Sequence, residues 1–393
     1  MLEEVRMIVT LLLITSIVCF GVAAHPFTTY PLSLVLLARL RLRRAPEPST
    51  ANEPRLDFTI CMCAYNEANV IRKKLQNLLA LREREPGLEI LIYVDAATDD
   101  TARLVRAYAP HVQVHVAEER RGKTYGMNLL AARAKGSILL FTDANVMLDM
   151  NCIDELRKAF ADPSVGCVCG QLTYTNEDES VTASVGSLYW RFEERIKRLE
   201  QETGSVMGAD GSLFAVRRSL HRPPPPHIID DMYVSFMVLL QGYRIVQSQS
   251  ARAYEASAAC AAEEFRRKSR IGCQAFNVHR LLWPHLRKMD ALTVYKYVSH
   301  KLLRWLSIYF LGAGALCLVL ALVLAGQYRA AILLIASGVL LFLLGTRWTI
   351  KPLSQLVDIV SSLAGTGLGV WQSLRGESYQ TWTPVATVRK ATE

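Results

Sequence analysis

Long apolar runs bracket a stretch of ordinary mixed composition. Residues 7–24, 306–326 and 330–345 are almost free of charge, and each is near the length that crosses a hydrocarbon core. Between them the pattern alternates. "DFTICMCAY" reads as a buried strand and "NEANVIRKKLQNLLAL", with its apolar residues three and four apart, as a helix. "LEILIYVDA" and "TDDTARLVRAYA" repeat the pair, "VQVHVAE" and "TYGMNLLAARA" repeat it again, and "SILLFTDA" supplies a fourth strand. Strands alternating with helices predict an α/β fold with a mostly parallel sheet. Further on, "SVGCVCGQLTY" predicts another strand, "SLYWRFEERIKRLEQET" an amphipathic helix, "GADGSLFAVRRSL" a glycine-rich turn into a strand, and "HIIDDMYVSFMVLLQG" a helix starting at Asp230 and Asp231. Residues 353–374 are weakly apolar with Asp358 and several glycines inside, which fits a membrane interface or a further span.

In parallel α/β sheets the ligand sits at the carboxyl ends of the strands. The polar residues fall there. Tyr65, Asn66 and Glu67 close the first strand, Asp95 the second, Lys123 follows the third, and Asp143 and Asn145 close the fourth. A carboxylate and an amide two residues apart at the end of a buried strand are costly to desolvate unless a cation meets them, and a metal ion is the candidate. "GKT" at Gly122–Thr124 also ends the phosphate loop of ATPases, but that loop needs a glycine where Ala117 stands.

Composition adds the membrane and the sign of the charge. Hydrophobic residues are 51% of the 393, high for a chain with no membrane segment. Acidic Glu3 and Glu4 precede the first apolar run while Arg39, Arg41, Arg43 and Arg44 follow it, which disfavours a signal peptide and keeps the central domain on the cytoplasmic side. The net charge of +9 includes basic clusters such as "ERRGK" and "FRRKSR", which suit a membrane surface or phosphate-bearing substrates. No nucleic-acid-binding motif accompanies them. Cys61 with Cys63, and Cys167 with Cys169, read as small core residues rather than zinc ligands, whose usual spacing is C-x-x-C.

Together these residues resemble the membrane-anchored family 2 glycosyltransferases of the GT-A fold, the group that includes cellulose, chitin, hyaluronan and poly-N-acetylglucosamine synthases. "CAYNEANVI" is similar to the family's P-A-Y-N-E entry with Cys63 in place of proline, "YVDAATDDT" to its nucleotide-binding aspartate segment at Asp95, and "RRGKTYGMN" to G-K-x-x-A-L-N through Gly122, Lys123 and Asn128. "DAN" resembles the D-x-D motif, so the resemblance implies Mg²⁺ or Mn²⁺ on Asp143 and Asn145. "GADGSLFAVRR" is similar to the acceptor segment, giving Gly208 and Asp210, and "IIDDM" to the acidic pair, giving Asp230 and Asp231 with Asp231 as general base. "FRRKSRIG" falls where polymerising members carry Q-x-x-R-W. Arg267 replaces Gln, Arg270 is kept, and Ile271 replaces the tryptophan on which a sugar stacks. Tyr65, Glu67, Asp95, Lys123, Asp143, Arg267 and Arg270 are the implied donor-binding residues.

The expected organisation is a membrane helix and basic segment (1–45), a linker (46–56), a cytoplasmic GT-A domain (57–285), an interfacial connector (286–305) with Trp305 at the interface, two transmembrane helices (306–350), and an interfacial or membrane helix with a tail (351–393). The resemblance implies an integral-membrane inverting transferase that moves a sugar from a nucleotide donor, a UDP-sugar, to a glycan or lipid-linked acceptor in cell-envelope or exopolysaccharide synthesis. Transfer to a polyprenyl phosphate and a silent nucleotide-sugar sensor in an export complex are the alternatives. Few spans imply a partner protein for any polymer export.

Overall fold

The computed structural model describes residues 2–41, 56–258, 260–348 and 351–381. Nearly all of the expected linker, with Arg43, Arg44 and the tail from Trp382 on, lies outside the described residues.

The chain begins with two apolar helices, α1 (Leu2–Ala24) and α2 (Thr29–Arg41). The α/β repeat follows: β1 (Phe58–Ala64), α3 (Ile71–Arg84), β2 (Glu89–Val94), α4 (Thr101–Arg106), β3 (Gln113–Val116), α5 (Lys123–Arg133) and β4 (Ile138–Asp143). Then come β5 (Met147–Leu148), α6 (Cys152–Phe160), β6 (Val165–Tyr174), α7 (Val181–Glu202), β7 (Leu213–Arg217), α8 (Asp230–Leu240) and β8 (Arg244–Glu255). Helices close the described chain: α9 (Ala261–Leu286), α10 (Ala291–Tyr297), α11 (Leu303–Leu324), α12 (Tyr328–Arg347) and α13 (Leu353–Leu374).

The strands form one sheet in the order β3-β2-β1-β4-β7-β6-β8-β5. β3, β2, β1 and β4 run parallel, as do β6 and β8. β7 is antiparallel to both neighbours and β5 is antiparallel to β8, so the mostly parallel sheet that the sequence predicts is joined by antiparallel strands. β7 follows α7 in the chain and inserts between β4 and β6, opposite in direction to both. β1 is buried along its whole length, as a strand covered on both faces must be. One apolar layer packs α3, α4 and α6 on one face, and the other packs α5, α8 and α9 on the opposite face.

Among the described residues, four helical segments are long and apolar enough to cross a membrane: Glu3–Phe27, Ala291–Leu324, Tyr328–Arg347 and Leu353–Leu374. Trp305 is buried against neighbouring aromatics, with its ring 6.3 Å from Phe276 and 6.4 Å from Tyr297. The glycines of α13 are packing contacts. A Cβ at Gly369 would collide with the carbonyl of Ser269 on α9, and one at Gly272 would lie 2.7 Å from the carbonyl of Thr366. Only residues without side chains let two helix backbones approach so closely.

Candidate active site

β4 ends at Asp143 and α5 begins at Lys123, which puts both at the carboxyl edge of the parallel strands. Lys123 Nζ lies 2.7 Å from Asp143 Oδ1 and 3.9 Å from Asp230 Oδ2. Burial alone would lower the lysine pKa. Asp143, Asp230 and Asp231 more than offset it and hold the ammonium charged beyond the usual lysine range. Asp230 and Asp231 form the first turn of α8, where the helix dipole favours negative charge. Asp231 Oδ1 accepts from the Met232 N–H at 2.6 Å. Burial first, then Asp230, pushes the Asp231 carboxyl up to about 7, with Lys123 opposing. Asp230 is also raised by burial, and its Oδ2 is buried with no hydrogen-bond partner among the described residues. Gly211 makes room: a Cβ there would stand 3.1 Å from Asp231 Oδ2 and 3.3 Å from Lys123 Nζ.

The other strand ends do different work. Asp95 is fully buried and accepts from the backbone N–H groups of Arg121, at 2.7 Å, and Gly122, at 3.1 Å. It therefore shapes the loop before Lys123 and does not line the cavity described below. Ala96, next in the chain, has φ 49°, a left-handed conformation that alanine rarely adopts and that a tightly held turn imposes. The Arg120 guanidinium lies 3.5 Å from the centre of the Tyr65 ring. Glu67 is buried, and its carbonyl accepts from Val70 and Ile71 at the start of α3. Asn145 Nδ2 donates to Glu255 Oε1 at 2.8 Å.

A cavity of about 470 Å³ joins these groups to the apolar helices. It is lined by Glu67, Lys123, Asp143, Asn145, Asp230 and Asp231 at one end, with Gly208 and Asp210 beside them. Asp210 receives Lys197 Nζ at 2.8 Å and the Ser212 hydroxyl. Arg267 and Arg270 also reach the cavity, Arg267 paired with Glu264 at 3.3 Å. The tail closes over this edge. Gln274 Nε2 donates to the Tyr379 carbonyl at 3.0 Å, Gln380 Nε2 donates to the Arg121 carbonyl at 3.1 Å, and the Gln380 carbonyl lies against Gly122.

The sequence reading missed two groups of residues. Lys74 is fully buried on α3 and donates to the Val146 carbonyl at 2.5 Å and to Thr142 Oγ1 at 3.3 Å, pinning the turn that carries Asp143 and Asn145. Burial lowers its pKa to about 7. It stands in the apolar stripe of Ile71, Leu75 and Leu78, and a lysine in such a stripe was the available signal. Glu193, Glu194, Lys197 and Glu200 on α7 are all buried, although charges at this spacing usually mark a solvated face.

For a metal, the described residues hold no group of three or more His, Cys, Asp or Glu side chains that could hold one without help. The oxygens present still suit Mg²⁺ or Mn²⁺, which bind through one or two carboxylates plus substrate phosphates rather than in all-protein cages. Asp143 supplies a carboxylate, Asn145 a carboxamide oxygen in the same turn, and Asp230 a buried oxygen with no hydrogen-bond partner among the described residues.

The sequence model described as Glycosyl transferase family 2 matches residues 59–222. A poly-beta-1,6-N-acetyl-D-glucosamine synthase of Staphylococcus aureus is 27% identical over 196 residues, 48% of this chain and 47% of that protein. A hyaluronan synthase of Streptococcus pyogenes is 23% identical over 226 residues, 55% of this chain and 54% of that one. The chain thus spans about half the length of the curated relatives it matches. Among solved structures, the mannosyltransferase PcManGT of Pyrobaculum calidifontis, in complex with GDP-Man and Mn²⁺, superposes with a TM-score of 0.68 at 22% identity. The match covers 93% of this chain and 99% of that one, and identifies the GT-A fold.

Proposed function

We propose that this chain, whose residues 59–222 match the model described as Glycosyl transferase family 2, is a membrane-bound inverting glycosyltransferase that moves a sugar from a nucleotide donor, a UDP-sugar, to a glycan or lipid-linked acceptor. The observation that carries this reading is the packing of Lys123 among Asp143, Asp230 and Asp231 at one end of a cavity that continues to the apolar helices. The donor diphosphate lies against Lys123. In this reading Tyr65, Glu67, Asp143 and the loop shaped by Asp95 hold the rest of the nucleotide; Glu67 and Asp143 line the cavity, and Arg267 and Arg270 lie further along it.

Asp231 takes the proton of an acceptor hydroxyl as that oxygen forms its bond to the anomeric carbon. The bond from that carbon to the diphosphate oxygen breaks on the opposite face, and its electron pair leaves with the nucleoside diphosphate. Lys123 stabilises the departing charge in a low-dielectric setting. One base and direct displacement give inversion. Bound at Asp143 and Asn145, Mg²⁺ or Mn²⁺ would supply Lewis-acid neutralisation of the diphosphate. Gly208 and Asp210 border the acceptor, and Lys197 fixes Asp210. A nucleotide-sugar sensor without turnover would not need two carboxylates held beside a lysine, because their burial is costly.

The test is nucleoside-diphosphate release by the detergent-purified protein across a panel of nucleotide sugars with Mg²⁺ or Mn²⁺. Release with one donor should fall about 100-fold or more in Asp231→Asn, the usual scale for losing a general base. Release that the substitution leaves unchanged would remove Asp231 from this role.

A further inference from the structure

The far end of the cavity has chemistry that the transfer step does not use. Arg304 stands in the first turn of α11, is only 7% exposed, and lines the cavity with Tyr189, Lys268 and Lys301. Its Nη1 donates to Tyr189 Oη at 3.1 Å and to Glu193. Its Nε and Nη2 are buried with no partner among the described residues. A buried guanidinium with unpaired N–H groups is destabilising, and oxygens of a bound ligand would offset that cost.

The surroundings narrow the ligand. Lys268 Nζ lies 4.7 Å from the centre of the Tyr189 ring and the Arg304 guanidinium carbon 5.7 Å from the same centre, so two cations flank one aromatic ring. Lys301 Nζ is 3.4 Å from Glu193. Arg267, Lys268, Arg270, Lys301 and Arg304 face Glu193, Glu255, Glu264 and Asp358 along this part of the cavity. The same space is bounded by Phe27, Phe265, Ile359 and Leu363, and Ile359 and Leu363 belong to a helix apolar enough to span a membrane. An anion-binding group beside an apolar wall, opening toward Asp231, suits an amphiphile with an oxyanion between a hydrocarbon chain and a sugar.

We propose that Arg304, with Lys268 and Lys301, receives the phosphate of a sugar carried on a lipid, and so holds the acceptor at the membrane end of the cavity. The inference deepens the transferase reading and rests on it for the catalytic consequence. Phosphate binding can be tested without that reading.

The experiment uses the full chain in nanodiscs of neutral lipid and measures retention of a long-chain polyprenyl phosphate by native mass spectrometry. The same-length polyprenol and inorganic phosphate are the comparison probes. Wild type should hold the lipid phosphate, with about a 10-fold loss in Arg304→Gln and about a 5-fold loss in Lys268→Gln, the scale of one charge-assisted hydrogen bond. Both variants should bind nucleoside diphosphate as wild type does, showing that the domain is folded. Equal retention of polyprenol, or lipid-phosphate affinity unchanged in both variants, overturns the proposal. Displacement of the lipid by low millimolar inorganic phosphate overturns its lipid half and leaves a soluble-phosphate site. A protein that holds the lipid phosphate through Arg304 yet turns over no nucleotide sugar sinks the transferase reading and leaves this one standing.

Discussion

At the residue scale, the proton affinity of Asp231 links activity to stability. Its carboxyl is raised to about 7, so turnover should climb as pH rises from 6 to 8 and the base becomes free. A flat profile across that range in wild-type assays would argue for another base. The same shift has a sign for stability. Between the unfolded value near 4 and the folded value near 7, the native carboxyl keeps a proton that the unfolded chain has lost, so stability falls as pH rises through that window. Asparagine carries no such cost and can still accept from Met232. Asp231→Asn should therefore melt higher than wild type at pH 8, with the gap narrowing toward pH 5, as read by differential scanning fluorimetry. Inactivity together with a raised melting point is the mark of a group placed for chemistry rather than for folding.

At the scale of elements, the contact between α9 and α13 carries the next prediction. Gly369→Val would drive a side chain into the Ser269 carbonyl and separate the helices, costing about 1–3 kcal/mol as overpacking does. A lowered melting point and weakened transfer should appear together, and a variant that melts like wild type would mean the helices part freely. This contact also shows why legibility was uneven. Lys123, Asp143 and Asp231 could be read from sequence because each sits at the end of an element, where a polar residue interrupts an apolar pattern. In the sequence, the glycines of α13 carry no sign of the α9 backbone they pack against. On α7 the charged stripe is buried because α10, α11 and the helical turn that joins them bring Lys296, Arg304 and His300 to meet it, from residues about a hundred positions away. Pairing over that distance leaves no local trace. β7 is legible as a strand, but its direction is set by its two neighbours in the sheet, β4 and β6, which are distant in sequence.

At the scale of the molecule, orientation across the bilayer is open to a direct check. Cys260 is exposed at the entry to α9, while Cys61, Cys63, Cys152, Cys167, Cys169 and Cys273 are buried. If the domain faces the cytoplasm, a membrane-impermeant maleimide should label Cys260 in inverted vesicles and leave it untouched in intact cells. Labelling of intact cells would reverse the topology. The close fit of α13 against α9 also has a consequence in time. α9 leaves the ribosome well before α13, with the face around Gly272 still bare and the cavity wall from Asp358 to Thr366 not yet made. The end of the cavity around Lys123 can fold while translation continues, but the wall that α13 supplies is completed only when that helix has docked on α9. On the proposed function, a chain stalled before Leu353 would bind donor and have no enclosed place for an acceptor.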